Sequence, residues 1–222
     1  MNLDNMQAVI LAAGKGARLR PITNEVPKPL IDIGGKTLIE HALESLPDVI
    51  DEVFIVVNHL REQIIDSIGS SWNNKLMTYV VQEPLSGTAG AIHLLRAHLH
   101  NSFLVINSDD LYEKQDLTQL VAHRFSLLYF PTSTEKHAGA LFQDGRFTGL
   151  GPSTNAVCGA YVLDQKFFDV EPVEIQVSEY REYGLPQTLA VLAKNLPIIG
   201  VEATHWKQVG TLEELESARK QT

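Results

Sequence analysis

The chain has 222 residues, 44% of them hydrophobic, which suits one large α/β domain with a substantial core. A formal net charge of -9 and a pI near 5.3 argue against a general binder of nucleic acid or of anionic membranes, which would be basic. Cys158 is the single cysteine, the opening MNLDNMQ has no signal-peptide pattern, and no apolar run approaches the ~20 residues of a membrane helix, so the expectation is a soluble cytoplasmic protein without disulfides.

Short apolar, β-branched runs alternate with stretches of helical spacing. Residues 7–12 read as a buried strand and 37–46 as a helix. Residues 53–57 are a second strand, 60–68 a helix, 76–81 a strand and 88–99 a helix. Strands at 103–106 and 127–130 follow. This order predicts a mostly parallel sheet with helices on both faces, its strands continuously apolar because both faces are covered. Shorter strands are expected at 138–142, 146–150 and 157–163, with Asp144-Gly145 as a hairpin turn between the first two. Helices return at 186–196, where Pro186 suits a first turn, and at 212–220. No repeat or linker divides the chain, so residues 1–222 are expected to form one domain whose later elements face the first half across a cleft. Sheets of this kind bind ligands at the carboxyl ends of their strands.

The segment LAAGKGARLRPITNEVPKPL, residues 11–30, begins at that edge. Leu11, Ala12 and Ala13 end the strand. Gly14 and Gly16 let the backbone approach a ligand and turn its N–H groups inward. Lys15, Arg18, Arg20 and Lys28 add positive charge, and polyphosphate is the natural target for amides, guanidinium forks and ammonium groups together. The segment contains neither GxxxxGK[ST] nor the third glycine of GxGxxG, so it is neither a P-loop nor a dinucleotide fingerprint.

LAAGKGARLRPIT followed by PKPL resembles the signature of the sugar-1-phosphate nucleotidyltransferases. The resemblance runs from about Gln7 to Ala218. It implies transfer of a nucleotidyl group from a nucleoside triphosphate to a sugar 1-phosphate, with pyrophosphate released. It also implies a Rossmann-like, mixed, mostly parallel sheet with a small sugar-side β lobe. Residues of about 7–130 would form the nucleotide half, and about 131–222 the sugar-binding and closing half. No hexapeptide repeats follow, so no left-handed β-helix is expected. The loop from Leu11 to Gly16 would wrap the triphosphate, with Arg18 and Lys28 as catalytic phosphate ligands. VVQEPLSGTAGAI resembles the base-reading segment, where Gln82 and Gly87 would meet the nucleobase edge and Thr88 would open a helix beside it. In FLVINSDDLY, Asp109 would ligate Mg²⁺, a hard cation suited to carboxylate and phosphate oxygens. NAVCGAYVLD resembles the sugar-side strand, with Gly159 in it; Asn155 and Glu179 are further candidates to face the sugar, whereas Tyr180 reads as a loop residue. The family leaves room for a homo-oligomer and implies no nucleic-acid or membrane partner.

Two departures stand out. HWKQVGT carries Gln208 where most members of the family it resembles have an aspartate as a second metal ligand, so Gln208 would keep an oxygen ligand but lose the charge. Asp110 and Glu202 are the candidates to supply that charge. Near residues 149–154 the chain reads GLGPST where larger members carry Glu-Lys-Pro, which groups it with short members such as the N-acetylmuramate-1-phosphate uridylyltransferases. Cys158 reads as a small buried residue, and His93 and His98 as helix-surface residues. Two other functions fit the same segments: a cytidylyltransferase for phosphocholine-like acceptors, and a non-catalytic nucleotide-sugar sensor.

Overall fold

The computed structural model describes residues 5–177 and 180–220. The chain enters through β1 (Met6–Ala12), passes three 3₁₀ turns, and makes a small hairpin of β2 (Asp32–Ile33) and β3 (Lys36–Thr37). Helix α1 (Leu38–Glu44) opens on a capping box. The Thr37 hydroxyl accepts from the Glu40 N–H, and the Glu40 carboxylate accepts from the Thr37 N–H at 2.6 Å. Then come β4 (Ile50–Val57), α2 (Arg61–Ile68), β5 (Ser71–Trp72), β6 (Lys75–Val81), α3 (Gly87–Leu94) and β7 (Ser102–Asn107). The remainder comprises β8 (Asp110–Tyr112), α4 (Lys114–Leu120), β9 (Ser126–Gln143), β10 (Arg146–Asp164), β11 (Glu174–Val177) and β12 (Tyr180–Tyr183). It ends with α5 (Leu185–Leu192), β13 (Ile199–Glu202), β14 (Trp206–Gln208) and α6 (Leu212–Arg219).

Eight strands form one mixed sheet in the order β13-β9-β10-β7-β1-β4-β6-β5. β1 lies between β4 and β7 and is parallel to both; β6 continues parallel to β4, and β10 joins β7 antiparallel. Successive residues of the central strands feed opposite cores. Ile10 packs with Leu43 of α1, Ile64 of α2 and Leu120 of α4, while Val9 packs with Ile92 of α3 and Leu189 of α5. Each fully buried aliphatic side chain contributes on the order of 1.5–3 kcal/mol relative to an exposed one. A third cluster joins Leu19, Ile31 and Ile33 to Val209 and Leu215. It seats the closing segment and α6 against the glycine loop, so the two ends of the chain build one side of the cleft together.

The expected strands at 127–130 and 138–142 are one strand, β9, and those at 146–150 and 157–163 are one strand, β10. Register shifts after Phe147, Gly151, Ser153 and Val157 break the alternation that marks a strand in sequence. The expected helix at 88–99 ends as an α-helix at Leu94, and that at 186–196 ends at Leu192. His93 is half-buried rather than on an open helix surface: its ring lies 5.5 and 5.4 Å from those of Phe167 and Phe168, and its Nε2 is buried without a partner. Burial, aided by Arg96, lowers its pKa below the usual 6.5. His98 is exposed but lies beyond the end of α3. Cys158 is fully buried, and desolvation pushes its thiol far above the usual range.

Candidate active site

Because β1 and β7 are adjacent and parallel, the segments that follow them meet at one edge of the sheet. Pro27 and Pro29 flank Lys28 in a 3₁₀ turn beneath the glycine loop. Lys28 is 8% exposed, and its Nζ forms an ion pair with the Asp109 carboxylate. Gly16 makes this possible. Its φ is +60°, and a Cβ there would stand 2.8 Å from Thr23 Cγ2 and 3.1 Å from Lys28 Cβ. Thr23 Oγ1 donates to the Gly16 carbonyl at 2.9 Å, closing the loop. The backbone N–H groups of Gly14, Lys15 and Gly16 have no hydrogen-bond partner among the described residues, as suits a surface made to receive an anion.

Asp110 lies deeper, 1% exposed. Its Oδ2 is 3.1 Å from the Asn107 amide nitrogen and 3.2 Å from the Tyr112 hydroxyl, while Oδ1 is buried without a partner. Desolvation, then repulsion from Asp109, pushes its pKa up to about 8 against the opposing pull of Asn107, Lys28 and Tyr112. Gly159, at φ +69°, leaves the space for this arrangement. A Cβ would stand 2.1 Å from the Asn107 nitrogen and 3.0 Å from Asp110 Oδ2. β14 runs antiparallel to β8 and sets Gln208 opposite Asp110. The Val209 N–H donates to the Asp109 carbonyl at 3.1 Å, tying the closing segment to the same turn.

A cavity of about 780 Å³ opens above this floor, in the range of small-molecule sites. Leu11, Ala13, Gly14 and Lys15 line it at the loop, Gln82, Gly87 and Thr88 at the far end, and Asn107 and Asp109 at the floor. Gln82 is 3% exposed, and its amide nitrogen donates to the Gly87 carbonyl at 2.9 Å and to Ser86 Oγ at 3.0 Å. The Gly87 carbonyl only accepts, so it fixes the amide orientation and leaves Gln82 Oε1 as the group for a ligand. The hairpin of β11 and β12 forms the opposite wall through Tyr180, Arg181 and Glu182. It is clamped to the base-side turn: the Tyr183 N–H donates to the Ser86 carbonyl at 2.9 Å, and a Cβ on Gly87 would stand 2.6 Å from the Tyr183 carbonyl oxygen. A second cavity, of about 210 Å³, shares Leu11, Thr88 and Asn107 and adds Asp110, Gly159, Trp206 and Gln208.

The structure therefore gathers Asp109, Gln82, Gly87, Thr88, Gly159 and Gln208 on two adjoining cavities, and Lys28, which lines neither, reaches them through its ion pair with Asp109. Ala12 is buried, and Gly16 supports the loop from beneath. Thr88 also spends its hydroxyl on structure, accepting from the Leu185 N–H at 2.9 Å. Arg18 lines neither cavity; its guanidinium lies against Gly210, where a Cβ would stand 2.8 Å from Nη2. Asn155 lines neither as well, and its amide is 3.4 Å from the Ala140 carbonyl within the β9–β10 arm. Glu179 lies outside the described residues. Tyr180 is on a strand, 72% exposed at the cleft wall, rather than in a loop. Asn107, Tyr112 and Trp206 escaped the sequence reading; only the position of Asn107 at the end of an apolar strand could have signalled it.

The floor suits a hard divalent cation. Its donors are all oxygen: the carboxylate of Asp109, which lines the larger cavity, and the carboxyl of Asp110 and the amide oxygen of Gln208, which line the smaller one, and one buried oxygen of Asp110 has no protein partner.

The family model described as nucleotidyl transferase matches residues 7–127. The bifunctional protein GlmU of Methanocaldococcus jannaschii is 28% identical over 224 residues, a match covering 97% of this chain and 54% of that protein. The chain thus spans about half the length of the curated relatives it matches. Among solved structures, apo UDP-glucose pyrophosphorylase superposes with a TM-score of 0.79 at 20% identity, covering 98% of this chain and 97% of that one. The inositol-1-phosphate CTP transferase of T. maritima superposes with a TM-score of 0.77 at 19% identity, covering 97% and 96%. At those identities the two structures speak for the fold alone.

Proposed function

The chain belongs to the nucleotidyl transferase family, and from that premise we propose that it transfers a nucleotidyl group from a nucleoside triphosphate to a sugar 1-phosphate, releasing pyrophosphate. The observation that carries this reading is the Lys28–Asp109 ion pair on the cleft floor, directly under a glycine loop with unpaired amides. The acceptor class follows the sequence resemblance, and the adjoining small cavity offers it room; the base and the particular sugar are left to experiment. Residues of about 7–130 would act as the nucleotide side of one catalytic unit and about 131–222 as its acceptor side.

The reaction needs no protein base. An anionic oxygen of the acceptor phosphate attacks the α-phosphorus, the bond to the bridging oxygen breaks, and pyrophosphate departs with the electron pair. The obstacles are repulsion between anions and alignment, so positioning and electrostatics supply the catalysis. The amides of Gly14–Gly16 and Lys15 hold the triphosphate, and Arg18 receives charge at the loop when the cleft is filled. Lys28 neutralises the α-phosphate or the incoming phosphate once its pairing with Asp109 is exchanged for substrate. Gln82 Oε1 and the Gly87 N–H offer an acceptor and a donor to the base edge. Mg²⁺, held by Asp109 with its neighbours on the floor, would supply charge neutralisation to phosphate oxygens. Gly159 and Gln208 would face the acceptor side.

Pyrophosphate release, measured with each nucleoside triphosphate crossed against sugar 1-phosphates, inositol 1-phosphate and phosphocholine, tests the proposal. Release that requires one sugar 1-phosphate and Mg²⁺ supports it. Release only with phosphocholine, or nucleotide-sugar binding without release under any pairing, would replace it with the cytidylyltransferase or the sensor reading.

A further inference from the structure

Position 208 holds glutamine, a neutral oxygen, where the sequence resemblance implies a carboxylate. Of the two acidic residues able to replace it, Glu202 is excluded by its place. It lies on β13, is exposed, accepts from the Tyr129 hydroxyl at 3.0 Å, and lines neither cavity. Asp110 lies directly opposite Gln208 in the β8–β14 ladder, and the two line the same cavity. Paired residues in an antiparallel ladder present their side chains on one face, about 4.5–5.5 Å apart at Cβ.

Three features separate Asp110 from an ordinary buried acid. Asn107 and Tyr112 both engage Oδ2, which orients the carboxyl and leaves Oδ1 without a protein partner although the residue is 1% exposed. Asp109, the next residue, supplies a second carboxylate, and that carboxylate is ion-paired with Lys28. Gly159 is kept without a side chain where any Cβ would strike the Asn107–Asp110 pair. A buried oxygen, oriented by two donors and set beside a second carboxylate, is stable when a cation completes it.

We propose that the divalent cation site of this chain is built on Asp109 and Asp110, with Gln208 as a neutral oxygen paired across the ladder from Asp110. The inference rests on the family reading for the presence of a cation, but its test needs no turnover. Asn107 and Tyr112 are positioning residues for Asp110.

The experiment titrates Mn²⁺ into the full chain without substrate and reads free ion by electron paramagnetic resonance. Asp110→Asn keeps an oxygen for Asn107 and Tyr112, so it is expected to fold, with thermal melting as the check. It should weaken Mn²⁺ binding about 10- to 100-fold, the scale for disturbing groups around a bound metal. Gln208→Asp should tighten binding in the native background, and Asp110→Asn/Gln208→Asp should return affinity to within a few-fold of the native chain. Native-like binding by a folded Asp110→Asn, failure of the double substitution to recover affinity, or native binding no tighter than that of Asp109→Asn would each overturn the proposal. These outcomes are separate from activity. An active enzyme with Mn²⁺ affinity indifferent to Asp110 sinks this inference alone; an inert protein whose affinity follows Asp110 sinks the transferase reading alone.

Discussion

On the rim of the cleft, Lys15 and Arg18 stand exposed on the glycine loop, without an ion-pair partner among the described residues. On the floor, Lys28 is 8% exposed and already paired, and Asp110 is 1% exposed with one oxygen unmatched. An exposed cation costs the fold little and contributes little until a ligand arrives. A buried charge must be held in place by its surroundings, and removing one partner strands the other. On the proposed reaction, the contrast gives recognition to the rim and charge handling at the reacting phosphates to the floor. On that reading a chain of net charge -9 can take a polyanion, because the cations assigned to it lie at one sheet edge.

The contrast is broken most severely at Lys28. Lys28→Ala should lower turnover by at least about 10³-fold, at the upper end of what single charge-stabilising groups contribute, while nucleotide binding survives. Turnover and equilibrium nucleotide binding measured on the same folded variant check both halves of that statement. Gly159→Ala comes next. Its Cβ would stand 2.1 Å from the Asn107 nitrogen at a φ of +69°, so denaturant unfolding should show a loss of about 2–3 kcal/mol, with activity falling as the Asn107–Asp110 contact opens.

Rim substitutions sharpen the comparison. Arg18→Ala should cost about 10²-fold in kcat/KM. Lys15→Ala should raise KM for the nucleotide less than about tenfold with kcat kept, the signature of uniform binding. A Lys15 variant with intact KM and reduced kcat would erase the distinction between rim and floor. The smallest effect lies outside the cleft. The lowered pKa of His93 means that the unfolded chain takes up its proton more readily than the folded one, so stability from this residue is present above pH 6.5 and fades below it. The melting temperature should fall less between about pH 7 and pH 5 in His93→Gln than in the native chain; parallel curves would contradict this.

The rim was legible in the sequence and the floor only in part. Glycines, cations and PKPL sit within one local segment, and β1, β4 and β7 contain continuous apolar runs, at residues 8–12, 53–57 and 103–106, where both faces are covered. Asp109 could be singled out for the same reason, at the end of such a run. The setting of Asp110 could not, because it depends on Asn107 from β7, Gly159 from β10 and Gln208 from β14, brought together by long-range pairing. The β9–β10 arm was read as fragments because its bulges reset the alternation at each shift. The wall made by Tyr180–Glu182 carries no pattern of its own; only the clamp of Tyr183 on Ser86 places it at the cleft.

One measurement tests the central claim most directly: single-turnover transfer of label from an α-³²P nucleoside triphosphate to a sugar 1-phosphate, by the native chain and by Lys28→Ala, at saturating nucleotide. The account predicts label in a nucleotide sugar from the native chain, and almost none from a Lys28→Ala protein that still binds the nucleotide. Equal transfer by both proteins would contradict it, because the reacting charge would then be handled somewhere other than the cleft floor.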